Sequence, residues 1–390
     1  MQAVRVSMMP IYADHAATTP LLPEVLDAMM PFLSENFGNP SSSHQWAKPA
    51  RKALAEARET IAECINAEPD EIVFTSGGTE ADNWAVKRSS GGLLVSAYEH
   101  HAVLNSAAAE ATGGRRVAYA RPTSCGAIGC KSLAEAWFLG TGLVSVMTAN
   151  NEIGTVNPIR ELAEFAHEHG ALFHTDAVQA VGHIPIDVRE LGVDMLSASG
   201  HKFNGPKGTG FLFLKRGTRL SPYVDGGSQE SGLRAGTENV ASIVGMAAAL
   251  KKNCEKMRET TVLLEGLTSR LRDGISAICP EAVFHGHDGT PRLPGFLSVA
   301  FPGHSAEGML HMLDLKGIAV SAGAACNSKD TEISHVLRAL GVQEPIAEST
   351  IRISLGFENT PEEVDEILAA LKSILRIGEM AVSRNPTHEV

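Results

Sequence analysis

Seven short apolar segments constrain the fold of this chain more than any other feature. They occupy 71–75, 92–97, 116–120, 143–148, 171–175, 194–198 and 210–215. Segments with helical spacing lie between several of them, as at 101–111 and 160–169. Uniformly apolar strands that alternate with helices are typical of a mainly parallel sheet covered on both faces. We therefore predict an α/β fold built on a mainly parallel seven-stranded sheet.

The length and the later part of the chain predict a second domain. A chain of 390 residues is too long for one compact core. A long helical stretch begins near 240, and apolar segments at 295–300, 318–321 and 350–354 then alternate with shorter helices. We predict a large α/β domain over 11–255. A smaller α+β domain is expected from 1–10 together with 256–390.

The composition excludes several classes of protein. The formal net charge of −12 at pH 7 argues against direct binding to nucleic acid or to an anionic membrane, because both require clustered positive charge. No apolar run approaches the roughly 20 residues that span a bilayer, and the start, MQAVRVSMMPIY, does not resemble a signal peptide. The six cysteines are scattered rather than spaced as a disulfide framework. We expect a cytoplasmic protein.

Polar residues follow four of the predicted strands. Lys202 lies in the run DMLSASGHKFNGPKGTG, just past an apolar segment, and Asp176 follows another strand in HTDAVQ. His100 ends VSAYEH, and the turn SGGT, at 76–79, joins a strand to a helix and could bind an anion. Alone, each feature has an ordinary structural alternative: a solvated lysine, a helix cap, a structural histidine and a plain turn.

Taken together, these positions predict a cofactor site. Parallel sheets bind ligands at the carboxyl ends of their strands, and all four features fall there. An anion-binding turn, a histidine, a carboxylate and a lysine are the groups that pyridoxal phosphate requires. A metal site is not expected, because His174 and Asp176 alone are weak evidence for one.

At this point the sequence resembles a known family. The segments TSGGTEADN, EHHAVL, NNEIGTV, HTDAVQ, SGHKFNGPKG and GLRAGTENV are similar, in this order, to the class V aminotransferase group of fold-type I pyridoxal-phosphate enzymes. More narrowly, they resemble its cysteine desulfurases. The resemblance extends from YADHAATTP to the terminal IRISLG, and it implies a pyridoxal-phosphate-dependent transferase fold.

The resemblance also implies roles for individual residues. Lys202 would bind the cofactor covalently, Asp176 would pair with its ring nitrogen, and His100 would stack on the ring and assist proton transfer. Other cofactor contacts would come from Gln179, Gly78, Thr79, Ser199, His201, Asn151 and, from a second subunit of a homodimer, Thr237. The α-carboxylate of the substrate would bind Arg352, with further substrate contacts from Asn151 and Asn39.

A cysteine would choose the reaction. Cys326, in SAGAAC, stands where desulfurases with a long mobile loop carry their nucleophile. Its thiolate would attack the sulfur of L-cysteine, leaving L-alanine and an enzyme persulfide that an acceptor protein discharges. Iron–sulfur scaffolds, tRNA thiolation relays and cofactor biosynthesis all stay open as acceptors. The structural alternative is that Cys326 is a buried small side chain. Cys125 and Cys130 could pair or bind metal, although a surface turn is favoured.

Two departures from the family pattern are visible. Ser228 and Ser231 in GGSQESGLRAGT replace an expected glycine and arginine, and NSKDTEISHV follows Cys326 in place of the usual continuation. The first could weaken a contact between subunits, and the second could alter loop mobility or acceptor choice. Alternative functions are a class V aminotransferase, a selenocysteine lyase, or a non-catalytic binding relic of the fold.

Overall fold

The computed structural model describes residues 10–286, 289–322 and 333–384, with side chains described as far as residue 376. The predicted nucleophile Cys326 therefore lies outside the described residues.

Strands and helices alternate along most of the chain. The strands are β1 (Ile11–Tyr12), β2 (Ile72–Thr75), β3 (Gly92–Ser96), β4 (Val117–Ala120), β5 (Thr141–Ser145), β6 (Leu172–Asp176), β7 (Met195–Ser199), β8 (Gly210–Leu214), β9 (Val283–Phe284), β10 (Phe296–Ala300), β11 (Ile318–Ala319), β12 (Ser321–Ala322) and β13 (Thr350–Ser354). The helices are α1 (Pro23–Ser34), α2 (Lys48–Cys64), α3 (Gly78–Arg88), α4 (His101–Thr112), α5 (Cys130–Ala136), α6 (Ile159–Glu168), α7 (Val188–Leu191), α8 (Val240–Ile278), α9 (Ala306–Asp314), α10 (His335–Ala339), α11 (Glu344–Ala347) and α12 (Pro361–Arg384).

The main sheet has seven strands in the order β2-β8-β7-β6-β5-β3-β4. Strands β7, β6, β5, β3 and β4 run parallel to one another, whereas β8 is antiparallel to both β7 and β2. Because β8 reverses direction between them, β2 runs parallel to β7. The predicted α/β fold with a mainly parallel seven-stranded sheet is confirmed.

A second sheet lies in the later part of the chain. Its order is β12-β13-β10-β9, and its strands are antiparallel. The predicted strand at 318–321 is wrong as a single element. Its first half, β11, pairs with β1 at the start of the chain, and its second half, β12, pairs with β13. Sequence pattern cannot separate two short strands that join different sheets.

Buried apolar residues fall into separate clusters. Two clusters cover the seven-stranded sheet, with Phe173 in one and Trp84 in the other. A further cluster joins the second half of α8 to the antiparallel sheet and α12, and it also takes in Ile11 and Ala13. Helix α8 contributes residues to clusters of both sheets and connects them. None of the helices in the described part of the chain has the length and apolar character needed to cross a bilayer.

The topology brings several strand ends to one edge. Parallel β3, β6 and β7 all end at the same edge of the sheet, and β2 ends there too because it runs parallel to β7. Gly78 begins α3 after β2, His100 caps α4 after β3, Asp176 ends β6, and the turn Gly200–Lys202 follows β7. Ligands of such sheets bind at this edge, so the fold itself places the predicted cofactor residues next to one another.

Candidate active site

A cavity of about 410 Å³ opens at this edge, within the usual size range of small-molecule sites. Its wall contains residues from the ends of four strands and from the first segment of the chain. The predicted site residues that line it are Gly78, Thr79, His100, Asn151, Asp176, Gln179, Ser199, His201, Lys202 and Arg352. The sequence therefore identified most of the polar wall of this cavity.

Lys202 ends a short turn that follows β7. The turn is closed by the amide of Gly205, which donates to the carbonyl of Gly200 at 2.9 Å. The Nζ of Lys202 donates to the carbonyl oxygens of Ala16 and Ala17, at 2.6 and 2.9 Å. The amine is therefore held in the cavity wall by backbone oxygens rather than extended into solvent.

Asp176 is the last residue of β6, and it is buried. Its Oδ1 accepts a hydrogen bond from the amide of Val178 at 2.9 Å. Burial raises the pKa of Asp176 to about 6, while the nearby charge of Lys202 opposes this shift. A ring cation beside it would stabilise its ionised form. These properties fit a partner for a protonated pyridine nitrogen.

His100 is the N-cap of helix α4. Its Nδ1 accepts a hydrogen bond from the amide of Ala102 at 3.1 Å. The neutral ring therefore carries its proton on Nε2. Burial is the main cause that lowers the pKa of His100 to about 4, and the charge of Lys202 acts in the same direction. At neutral pH His100 is an uncharged imidazole facing the cavity, suited to stacking and to accepting or donating a proton.

The predicted anion site lies at the N-terminus of α3. The first amides of a helix have no acceptor within it, and its dipole favours an anion there. A Cβ added to Gly78 would lie 2.5 Å from Cγ2 of Val178 and 3.6 Å from Cβ of Ser199. Only glycine lets the helix start this close to the neighbouring strand ends. His201 completes the surroundings, and its Nδ1 lies 3.1 Å from Oγ1 of Thr18.

The chemistry of this donor set fits pyridoxal phosphate. The start of α3 with Ser199 and His201 offers a phosphate site, Asp176 offers an acid, and Lys202 offers an amine within the same cavity. Gln179 is held by its own bond, from Nε2 to the carbonyl of Ala16 at 2.9 Å. These groups are those the cofactor requires.

Arg352 lies on β13 and enters the cavity from the antiparallel sheet. Its side chain is only 3% exposed. One terminal nitrogen donates to the carbonyl of Asn151 at 2.8 Å, and the other to Oδ1 of Asp14 at 2.8 Å. The Nε of Arg352 and Oδ1 of Asn151 are buried and have no hydrogen-bond partner among the described residues. Polar atoms in this state mark a place where a ligand can bind.

Two predicted contact residues lie elsewhere. Asn39 is exposed, and its Oδ1 accepts from the amide of Ser41 at 2.9 Å. Thr237 is also exposed. Neither belongs to the cavity wall that the described residues form. For Thr237 this is the placement expected of a residue that reaches a second subunit.

The sequence analysis missed buried acids near the predicted cofactor residues. Asp82 on α3 lines the cavity, and its Oδ1 lies 3.7 Å from Nε2 of His174. Burial, followed by the charge of Asp176, raises the pKa of Asp82. Glu152 also lines the cavity and accepts a hydrogen bond from Ser334. Asp82 lies in TSGGTEADN and Glu152 lies in NNEIGTV, two of the segments that resemble the family. That resemblance was the signal from which the sequence analysis could have identified them.

A pair of histidines was also missed. The rings of His101 and His335 have centroids 4.4 Å apart, and both residues line the cavity. The Nε2 of His335 lies 2.9 Å from the carbonyl oxygen of Glu99. His335 belongs to NSKDTEISHV, the segment after Cys326 that departs from the family pattern. This departure therefore includes a residue of the cavity wall.

Cys130, predicted in a surface turn, instead begins α5, and Cys125 and Cys130 are free thiols.

Comparison with known proteins identifies the family. Residues 11–367 match the aminotransferase class-V family. The chain belongs to this family. It is 44% identical over 373 residues to a protein named cysteine desulfurase IscS from Methanosarcina thermophila, covering 94% of this chain and 92% of that protein.

Solved structures of the family share the fold. A structure described as a NifS-like protein superposes with a TM-score of 0.88 and 36% identity, covering 95% of this chain and 100% of the other. A structure described as SspA in complex with cysteine gives a TM-score of 0.77 and 35% identity, covering 90% of this chain and 100% of that one. The resemblance to the cysteine desulfurase family is thus confirmed.

Proposed function

We propose that this chain is a pyridoxal-phosphate-dependent cysteine desulfurase. It converts L-cysteine to L-alanine and leaves the sulfur as a persulfide on Cys326. The observation that carries this proposal is the meeting of Lys202, Asp176, His100 and the N-terminus of α3 in one cavity. The names of its relatives, and the cysteine bound in the SspA structure, support the choice of reaction and substrate.

The site residues that the structure describes have specific roles in the proposed reaction. Arg352 binds the α-carboxylate of cysteine, and Asn151 contacts the bound substrate. The amine of Lys202 removes the α-proton, and His100, neutral at working pH, assists the proton transfer through Nε2. The cofactor, when bound, supplies the electron sink that makes this proton acidic.

The sulfur-transfer step balances without an added oxidant. The thiolate of Cys326 attacks the substrate sulfur, a new S–S bond forms, and the C–S bond of the substrate breaks with its electron pair moving toward carbon. Protonation of that carbon, together with return of the α-proton from Lys202, completes L-alanine. The net change is one cysteine and one enzyme thiol converted to one alanine and one enzyme persulfide. An acceptor protein then takes the sulfur, and an iron–sulfur scaffold and a thiolation relay both fit this chemistry.

We infer that the enzyme is a homodimer. Thr237 is exposed and lies outside the cavity of its own chain. One face of α1 exposes Leu26, Met30 and Leu33, which are 45%, 49% and 59% exposed. Nearby in sequence, Phe37 and Trp46 are exposed and stack at 5.7 Å. Large exposed apolar side chains that lie together on one helix face are typical of an interface.

We also infer two units, over 11–255 and over 1–10 with 256–390. The separate apolar cluster around β13 and the second half of α8 supports this division. Ile11 and Ala13 pack with the second unit. Judged by packing, the boundary near the start of the chain therefore lies later than residue 10.

A cytoplasmic location is proposed from the free thiols at 64, 125, 130, 254 and 279, because disulfides are rare in the reducing cytoplasm.

A Cys326→Ser variant tests the reaction. Without the thiol, sulfur release from L-cysteine should cease, while the change in cofactor absorbance on adding L-cysteine should persist. Cys130→Ser, a matched change at a cysteine outside the cavity wall, should retain activity. Full sulfur release by Cys326→Ser would contradict the proposal.

The product separates the alternatives. Alanine with released sulfur indicates a desulfurase, a keto acid indicates an aminotransferase, and strong preference for selenocysteine indicates a lyase for that substrate. Purified protein that neither carries nor gains a cofactor absorbance with added pyridoxal phosphate would indicate a non-catalytic relic.

A further inference from the structure

The guanidinium of Arg352 is already paired before a ligand arrives. Its Nη2 lies 2.8 Å from Oδ1 of Asp14, and its Nη1 donates to the carbonyl of Asn151 at 2.8 Å. The arginine side chain is 3% exposed and that of Asp14 is 18% exposed. A buried cation in the cavity therefore has its own carboxylate partner within the chain.

Arg352 nevertheless keeps donors for a second partner. A guanidinium has five N–H groups, and Nε of Arg352 has no hydrogen-bond partner among the described residues. The residue lines the cavity, and a carboxylate is the group that this planar fork binds best. An incoming α-carboxylate would thus share one cation with the carboxylate of Asp14.

Asp14 is fixed beside the strand that carries Arg352. Its backbone forms a bridge with Ser354 on β13, and the hydroxyl of Tyr12 donates to its carbonyl oxygen at 3.0 Å. The same segment continues to Ala16 and Ala17, which accept from Lys202. Asp14 therefore cannot move far away when a ligand binds, and its charge acts at short range with little solvent between.

We propose, resting on the function proposed above, that Asp14 limits the affinity of the cavity for α-carboxylates by competing for Arg352. Two carboxylates on one buried guanidinium repel each other, and this repulsion raises the dissociation constants of both the amino-acid substrate and the amino-acid product. Asp14 acts through Arg352 and is a positioning residue rather than a catalytic one. Weakened product binding allows alanine to leave after each turnover.

The charge and the hydrogen bond of Asp14 can be separated. Asp14→Asn keeps an oxygen that accepts from Arg352, but it removes the negative charge. L-Alanine should then bind more tightly by a factor on the order of ten, which is about 1.4 kcal/mol. L-Alaninamide, which has the same size but lacks the carboxylate, should bind as it does to the wild type.

The experiment measures both dissociation constants on the cofactor-loaded full chain, by titration calorimetry and by cofactor absorbance. Asp365→Asn is the matched control, because it removes the acid from another Arg–Asp pair, with Arg270, on the surface. It should leave both constants unchanged. As a second readout, Asp14→Asn should lower KM for L-cysteine more than it changes kcat.

Two outcomes would overturn the inference: L-alanine binding that is unchanged or weaker in Asp14→Asn, or equal tightening of alanine and alaninamide. If Asp14→Asn does not fold, Asp14→Ser removes the same charge and carries the same expectation. Wild-type protein without a cofactor response to L-cysteine contradicts the proposed function. A normal wild-type response with unaltered binding in the variants contradicts the role of Asp14 alone.

Discussion

Lys202 and Ala16 are 186 positions apart in sequence, yet Nζ of the lysine lies 2.6 Å from the carbonyl oxygen of the alanine. This contact brings the first segment of the chain against the turn that follows β7. The same carbonyl accepts from Gln179 at 2.9 Å. Residues from distant parts of the chain thus form one wall of the cavity.

Lys202→Ala should remove the amine that holds the cofactor. We expect the characteristic absorbance of covalently bound pyridoxal phosphate to disappear and kcat to fall by at least about 10², since positioned proton transfer alone contributes about 10²–10⁴. The control is Lys207→Ala, which removes an exposed lysine five residues away. A Lys202→Ala protein with the wild-type spectrum would refute the assignment.

Gly78→Ala should weaken cofactor binding. The added Cβ would lie 2.5 Å from Cγ2 of Val178, so the start of α3 or Val178 must shift and alter the proposed phosphate site. We expect an increase in the dissociation constant of pyridoxal phosphate, measured on protein stripped of cofactor. Gly266→Ala is the matched control, because that glycine lies within α8 and a Cβ added there would meet no described atom within 4 Å. It should stabilise the fold by roughly 0.5–1 kcal/mol.

The buried His174 should make stability sensitive to acid. Burial lowers the pKa of His174 to about 3, so below its ordinary pKa of 6.5 the unfolded state binds the proton more readily. The stability that the neutral ring contributes is complete above pH 6.5 and is lost as pH falls toward 3. In the native state the ring contacts Oγ of Ser145 and of Ser197, at 2.8 and 2.9 Å.

His174→Gln should therefore flatten the acid limb of the stability curve. We expect the difference in unfolding midpoint between pH 7 and pH 5 to be smaller in this variant than in the wild type. His169→Gln removes an exposed histidine and should follow the wild-type curve. Identical pH dependence in His174→Gln and the wild type would show that the buried ring does not control this limb.

The exposed face of α1 should mediate self-association. Replacing Leu26 and Met30 with lysine introduces two charges into the apolar surface, and the protein should shift from dimer to monomer in light scattering. Leu139→Lys is the control, because Leu139 is 96% exposed and lies outside α1. If the double variant stays dimeric, the interface lies on another face.

The sequence predicted the fold class and most of the cavity wall, but it did not predict the pairing of Arg352. Residues at the ends of apolar strands, such as Asp176 and Lys202, could be predicted to lie together, because strand patterns place them at a common edge. The partner of Arg352 could not be predicted, since Asp14 is 338 positions away and no local sequence pattern links the two residues. The split of 318–321 between two sheets was missed for the same reason.

Local patterning determined the elements, their order and the chemical type of each residue at the strand ends, because apolar periodicity and turn residues act over a few positions. Only the tertiary structure decided which of these groups meet. It placed Asn39 and Thr237 outside the cavity, brought Asp82 and His335 to its wall, and joined Asp14 to Arg352. These contacts depend on how distant segments pack, and packing buries charges next to one another that lie far apart in the sequence.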